Sequence, residues 1–272
     1  MILLHIVMLS LVQGITEFLP ISSQAHLILA SEGLGWPDQG LLIDVALHIG
    51  TLAAVLVYCW RDIWRMARGL GQAFGGTVDA GAHLGLQVIL ATLPVVVAGY
   101  FLIDQVVHFR DPLVIGWTTL VFGILLYLAD RFGLRVRRVE HMGFAGAFAI
   151  GLAQVCALVP GTSRSGVTMT AARMLGFERE DAARFSLLLA IPAILGAGTL
   201  EGMRLYEMEN VQLTQDAFLG AALAFVTALG AISLMMRWLR RANFTPFVLY
   251  RVVLGTGLLA FVYWGILPSD LF

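Results

Sequence analysis

The chain has 272 residues, 59% of them hydrophobic and only 13% charged, whereas a soluble domain carries about 25% charged residues; it reads as a polytopic membrane protein. A formal net charge of −1 supplies no basic face for a phosphate backbone and excludes nucleic acid as a partner. The two cysteines, Cys59 and Cys156, sit in apolar runs with no neighbour at metal-ligand spacing, so they read as small buried side chains rather than a disulfide or zinc site.

In chain order, residues 1–12 are apolar but lack a basic flank, and Glu17 and Pro20 stand where a cleavage site would be expected, so the segment is expected to stay in the mature fold. Residues 2–31 are apolar but interrupted by Pro20, Ser22 and Ser23. Spans of near bilayer length follow at 43–60, 84–103 and 113–129. A second interrupted stretch, 143–175, breaks at Pro160 and a Ser/Arg turn, and further spans are expected at 185–200, 217–236 and 247–267. A helix broken by proline and hydroxyls at membrane depth reads as a re-entrant hairpin rather than as one span.

The basic loops at 61–68, 131–138 and 237–241 should share the cytoplasmic side, and the acidic 201–216 loop should lie opposite. With both interrupted stretches re-entrant, every loop falls on its preferred side and the two termini lie outside; if 143–175 spanned instead, 131–138 and 201–216 would lie on the same side. The expected architecture is therefore a single all-α integral membrane domain over 1–272, with six transmembrane helices and two re-entrant helical hairpins. Each half, 1–130 and 143–267, is a hairpin followed by three spans, which inverts the second half relative to the first. Gln13 through Pro20-Ile21-Ser22-Ser23 resembles Gln154 through Pro160-Gly161-Thr162-Ser163, and Leu90-Ala91 before Pro94 resembles Leu189-Ala190 before Pro192. Inverted repeats place their site where the broken helices meet.

The first tip puts Gln13 and Glu17 on one helical face, with Ser22, Ser23 and His26 following. An intramembrane carboxylate is a functional candidate by default, and serine with a histidine and a carboxylate is the minimum set for an activated nucleophile. In the second tip, Arg164 offers a planar fork for phosphate oxygens, with the hydroxyls of Ser163, Ser165 and Thr168 as further donors. Gly161 and Gly166 allow a tight turn that aims backbone amides at an anion. The turn is neither a P-loop nor a Gly-x-Ser-x-Gly elbow. Asp44 and His48, four residues apart near the start of a span, read as interfacial anchors, with support of the site from behind as the alternative, and Arg173, Arg179 and Arg184 read as a solvated cytoplasmic turn.

The run Gln13–Ser23 with His26, together with Pro160–Gly166 and Thr168, resembles the bacterial undecaprenyl-diphosphatases of the bacitracin-resistance type over essentially the whole chain. The resemblance implies a multi-pass inner-membrane phosphohydrolase that converts undecaprenyl diphosphate to undecaprenyl phosphate and phosphate, recycling the lipid carrier of peptidoglycan synthesis and conferring bacitracin resistance. It implies catalytic roles for Glu17, Ser23, His26 and Arg164, and substrate binding by Gln13, Ser22, Gly161, Ser163, Ser165, Gly166 and Thr168. Two positions depart from the family pattern: Gln24-Ala25 precedes the histidine, and Gln13 replaces a glutamate, leaving one carboxylate in the motif. A Mg²⁺ or Ca²⁺ bridging Glu17 and the diphosphate is an expectation; no organic cofactor is expected. The nucleophile stands open between Ser23 and His26, as does a homodimer. The rival reading is a transporter of an anion or lipid phosphate, a class that shares broken helices and inverted repeats.

Overall fold

A computed structural model describes residues 3–23, 25–27, 41–107, 109–207 and 215–264. Over these residues the helices are α1 (Leu3–Thr16), α2 (Leu41–Tyr58), α3 (Trp60–Ala73), α4 (Ala80–Val107), α5 (Pro112–Phe132), α6 (Phe144–Val155), α7 (Arg164–Met174), α8 (Arg179–Glu207), α9 (Gln215–Leu239) and α10 (Thr245–Tyr263). Short three-ten turns occupy Val139–His141 and Cys156–Leu158. No β-strand occurs among the described residues, only an isolated bridge between Arg137 and Phe177.

Six helices, α2, α4, α5, α8, α9 and α10, are long and apolar enough to cross a bilayer, one for each expected span. Outward faces carry exposed apolar side chains such as Val97, Phe101, Val226 and Val253, a surface that hydrocarbon covers. The chain is a multi-pass membrane protein. Helices α4 and α8 begin earlier than the apolar windows suggested, at Ala80 and Arg179, because backbone hydrogen bonding continues past the last apolar residue. The end of the expected last span, 265–267, lies outside the described residues, as do 28–31 of the first interrupted stretch.

Local chemistry sets several boundaries. Asp111 caps α5 by accepting a hydrogen bond from the Leu113 amide at 2.7 Å, with Pro112 at the first helical position. The basic 61–68 stretch, expected as a loop, forms α3, a strongly amphipathic helix. Its Arg61, Arg65 and Arg68 alternate with Trp60, Trp64 and Ala67, the pattern of a helix lying in the membrane interface.

Polar ties gather many helix ends at one pole. Arg184, near the start of α8, donates to Asp62 just past α2, at 2.9 Å through Nε, and Arg240 beyond α9 donates to Glu180 at 2.9 Å. Asp130, at the end of α5, accepts from Arg179 Nε at 2.7 Å and Nη2 at 2.9 Å, from Arg173 Nε at 3.2 Å, and from the Phe244 amide at 3.3 Å. Gln87, near the start of α4, donates to the Met142 carbonyl just before α6 at 2.7 Å. The Arg173, Arg179 and Arg184 group is thus a structural network and not the solvated turn expected. Arg173 is fully buried and also donates to the carbonyls of Gly133, Leu134 and Phe177. At the other pole, Leu9 packs with Ile43 and Ala217, and Ala25 packs with Ile115 and Leu258.

Candidate active site

Two interrupted helices bring their tips together in the interior. The first runs from α1 through a turn at 17–21 to helical backbone at Ser23 and Ala25–Leu27; the second runs from α6 through a turn at 159–162 into α7. Ser22 and Ser163 both have positive φ, 71° and 70°, sparsely populated backbone that costs a non-glycine residue about 1–3 kcal/mol. Each then turns its hydroxyl onto the amide three residues ahead: Ala25 N to Ser22 Oγ at 3.5 Å, and Gly166 N to Ser163 Oγ at 3.1 Å. These are N-caps. Gly161, with φ +86°, packs so tightly on α5 that a Cβ there would stand 2.2 Å from Thr118 Oγ1 and 2.7 Å from the Ile115 carbonyl. Only glycine fits.

Glu17 is the hub. Its Oε2 accepts from Ser23 Oγ at 2.8 Å and from Gln13 Nε2 at 3.2 Å, while Oε1 accepts from Arg164 Nη2 at 3.4 Å. The Glu17–Arg164 ion pair therefore joins the two tips, and Ser165 Oγ adds a second link by donating to the Leu19 carbonyl at 2.8 Å. Arg164 is held from behind by the Ser186 carbonyl at 3.3 Å, and Thr168 shares a 2.7 Å hydrogen bond with the Ser186 hydroxyl.

A cavity of about 220 Å³ opens beside this hub, lined by Glu17, Ser22, Ser23, Ser163 and Arg164 on its polar side and by Val95, Ala157, Leu158, Ala193, Ile194 and Ala197 on its apolar side. His48 lines it too. The cavity thus joins a carboxylate, a hydroxyl hydrogen-bonded to it and an arginine, with an apolar wall opposite. Such a site can bind an anion attached to a lipid and deliver a hydroxyl to it.

Several residues expected at the site are not among those lining the cavity. Gln13 orients Glu17; Gly161 forms the turn; Ser165, Gly166 and Thr168 hold the second tip together. His26 is turned aside: its Nδ1 meets the Ser22 carbonyl at 2.6 Å, its Nε2 meets Tyr250 Oη at 2.5 Å, and the two rings stack with centroids 5.5 Å apart. Both ring nitrogens are engaged. Among the described residues no group of three or more His, Cys, Asp or Glu side chains that could hold a metal ion is gathered, and Glu17 is the one carboxylate lining the cavity.

The family profile described as Bacitracin resistance protein BacA matches residues 6–257. The chain belongs to the BacA family. This BacA-family chain is 50% identical over 277 residues to Undecaprenyl-diphosphatase 1 of Rhodospirillum rubrum, covering 97% of each. It is 53% identical over 254 residues to the Undecaprenyl-diphosphatase of Alcanivorax borkumensis, covering 92% of the chain and 96% of that relative. With the Undecaprenyl-diphosphatase of Roseobacter denitrificans it shares 47% identity over 268 residues, 97% of the chain and all of the relative.

Two residues of the BacA-family chain escaped the sequence reading. His48, read as an anchor, reaches the cavity. Its Nδ1 lies 2.8 Å from the Asp44 carbonyl, which can only accept, so Nδ1 is the donor of that hydrogen bond. The i, i+4 spacing of Asp44 and His48 was visible, but not which face of α2 met the cavity. The other is Arg251 in α10, fully buried and donating to carbonyls of both tips; one charge inside an apolar span was its only signal.

Proposed function

We infer that this chain hydrolyses undecaprenyl diphosphate to undecaprenyl phosphate and inorganic phosphate at the bacterial inner membrane. The observation that carries the mechanism is the 2.8 Å hydrogen bond from Ser23 Oγ to a Glu17 carboxylate whose other oxygen accepts from Arg164. A hydroxyl nucleophile, a base within reach of its proton and a group orienting that base form a complete nucleophilic set. The terminal phosphate enters the cavity against Arg164 and the Ser163 side, and the polyprenyl chain leaves along the apolar wall. Ser23 Oγ attacks the terminal phosphorus and gives its proton to Glu17; the bond to the bridging oxygen breaks, and the electron pair departs with undecaprenyl phosphate. Glu17 passes that proton to the departing product and, ionised again, takes a proton from the water that attacks the phosphoserine; the phosphorus–Oγ bond breaks, Ser23 Oγ takes the proton back from Glu17, and phosphate is released. The leaving group is a phosphate monoester, already a stable anion, so the reaction asks for charge neutralisation by Arg164 more than for a general acid. His26, with both nitrogens occupied, serves to fix the first tip against α10. A Mg²⁺ or Ca²⁺ carried in by the diphosphate finds one oxygen donor in Glu17, and titrating EDTA against added Mg²⁺ reads that contribution in KM.

The same reading holds that the two interrupted stretches are re-entrant hairpins related by inversion. Support comes from the poles: α6 begins and α7 ends beside the Asp130 network, whereas Leu9 of α1 and Ala25 beyond the first tip both pack at the opposite pole. The packing partners also exchange consistently. Helix α1 lies on α9 as α6 lies on α4, α2 lies on α9 as α8 lies on α4, and α5 pairs with α10. In this register Gln13 matches Gln154 and Ser22 matches Ser163, one residue away from the proline-to-proline alignment. The Leu90-Ala91 and Leu189-Ala190 likeness falls on α4 and α8, which inversion does not equate.

Phosphate release from undecaprenyl diphosphate by the purified protein, beside Arg164→Ala and Glu17→Ala, tests the activity. Phosphate flux in vesicles without release by the wild type would instead favour a transporter, a reading that leaves the Ser23–Glu17 hydrogen bond unexplained.

A further inference from the structure

Arg251 is the least expected charge in the molecule. It sits within α10, is fully buried, and has no carboxylate partner among the described residues. Its guanidinium instead donates to five backbone carbonyls: Nε to Thr119 at 3.0 Å, Nη1 to Pro20 at 3.3 Å, and Nη2 to Thr118 at 3.4 Å, Gly161 at 3.0 Å and Thr162 at 3.0 Å. Those carbonyls belong to the first tip, the second tip and the middle of α5.

The physical reason lies in the broken helices. A helix that stops at membrane depth leaves carbonyls without intrahelical partners, and hydrocarbon offers them no water. Arginine meets that demand with five N–H donors in a rigid fork, which the single ammonium of lysine cannot span. Burying a cation without a counter-charge is costly, so a neutral filler would serve mere packing better. What the arginine adds is a single rigid body contacting Pro20 three residues before the Ser23 hydroxyl, and Gly161 and Thr162 just before Arg164.

We propose that Arg251 is the positioning residue that registers the two tips, holding Ser23 on one at attacking distance from the phosphate bound by Arg164 on the other. This deepens the phosphohydrolase reading and rests on it for the kinetic consequence alone. Loss of the clasp leaves each tip folded by its own N-cap but lets one slide against the other, and a displacement of about 1 Å at the reacting atoms costs about 100-fold in rate.

The test uses the full chain in detergent, with Arg251→Lys, Arg251→Gln and the milder Gly123→Ala, whose added Cβ would stand 2.9 Å from the Arg251 Cβ and displace the stem without removing the charge. Three quantities are measured on the monodisperse fraction: kcat, the inhibition constant of inorganic phosphate, and amide hydrogen exchange of segments 17–23 and 159–164. We expect kcat to fall about 100-fold in Arg251→Lys and Arg251→Gln and by a smaller factor in Gly123→Ala. The phosphate constant should stay within about threefold, and exchange should rise in both tips together. A kcat within about threefold of wild type, phosphate inhibition weakening in step with kcat, or unchanged exchange in either tip would overturn the proposal. If the wild type releases no phosphate, the phosphohydrolase reading fails, while exchange in the tips still decides whether Arg251 clasps them.

Discussion

Ser22 and Ser163 share a positive φ, 71° and 70°, and each caps the helix that follows it. Neither is glycine, although glycine would adopt this backbone without strain. The side chain is retained for its hydroxyl, and both residues line the cavity. Ser163→Gly should therefore be close to neutral in stability, since relief of about 1 kcal/mol of backbone strain offsets the lost cap. Ser163→Ala keeps the strain, loses the cap and should cost about 1 kcal/mol. Thermal unfolding of the two variants in the same detergent gives the order; equal melting temperatures would remove the strain argument.

Ser23 Oγ donates to Glu17 at 2.8 Å, and the proposed function makes the two one catalytic unit. Replacing Ser23 by Ala or Glu17 by Gln should each lower kcat by about 10²–10⁴, and the double variant should lose little more than the worse single one, because residues of one catalytic unit are not additive. Rapid acid quench during turnover should trap phosphate on Ser23. A phosphohistidine at His26 in its place would assign the nucleophile to the other candidate.

Asp130 holds two arginines and the amide that opens α10, so its loss reaches four helices at once. Asp130→Asn leaves the fully buried Arg173 without its carboxylate and should cost about 3–5 kcal/mol, seen as a large fall in melting temperature and in detergent-soluble yield. The site residues do not touch Asp130. Whatever folds should retain its KM.

Cys59 lies just past α2, buried beside Asp62, and burial with that negative neighbour pushes its thiol up to about 12. The folded Cys59 thiol stays protonated near pH 8 and should resist maleimide until the chain unfolds. The sign for stability follows from the raised value. Once the pH passes the ordinary thiol value, the unfolded chain ionises and the folded one does not, so Cys59 weakens the fold progressively between about pH 9 and 12. Cys59→Ala should flatten the alkaline limb of a melting-temperature profile.

Much of this was legible in the residues. Each of the six spans has its helix, and the two hydroxyl-rich interruptions are where the tips meet. That Glu17 needs a partner was legible from its depth; that Arg164 of the other tip is that partner was not, since it rests on a contact between segments 147 residues apart. What was less legible is the allocation of roles within each tip. Thr168 and Ser165 read as phosphate donors, but Thr168 donates to the Arg164 carbonyl and Ser165 to the Leu19 carbonyl, because donors in a tight turn satisfy the nearest buried acceptor first.

By itself the sequence determined membrane class, the number of spanning helices and where the chain is interrupted, since hydropathy and helix-breaking are local properties of a chain in lipid. The tertiary structure decided which charges are spent on architecture and which on the site. Arg173 and Arg164 look alike in sequence, yet one closes the Asp130 network and the other faces the cavity. Arg251 and His48 became visible only when α10 and α2 were packed against the tips, because a side chain's electrostatic role depends on distances that a linear chain does not hold.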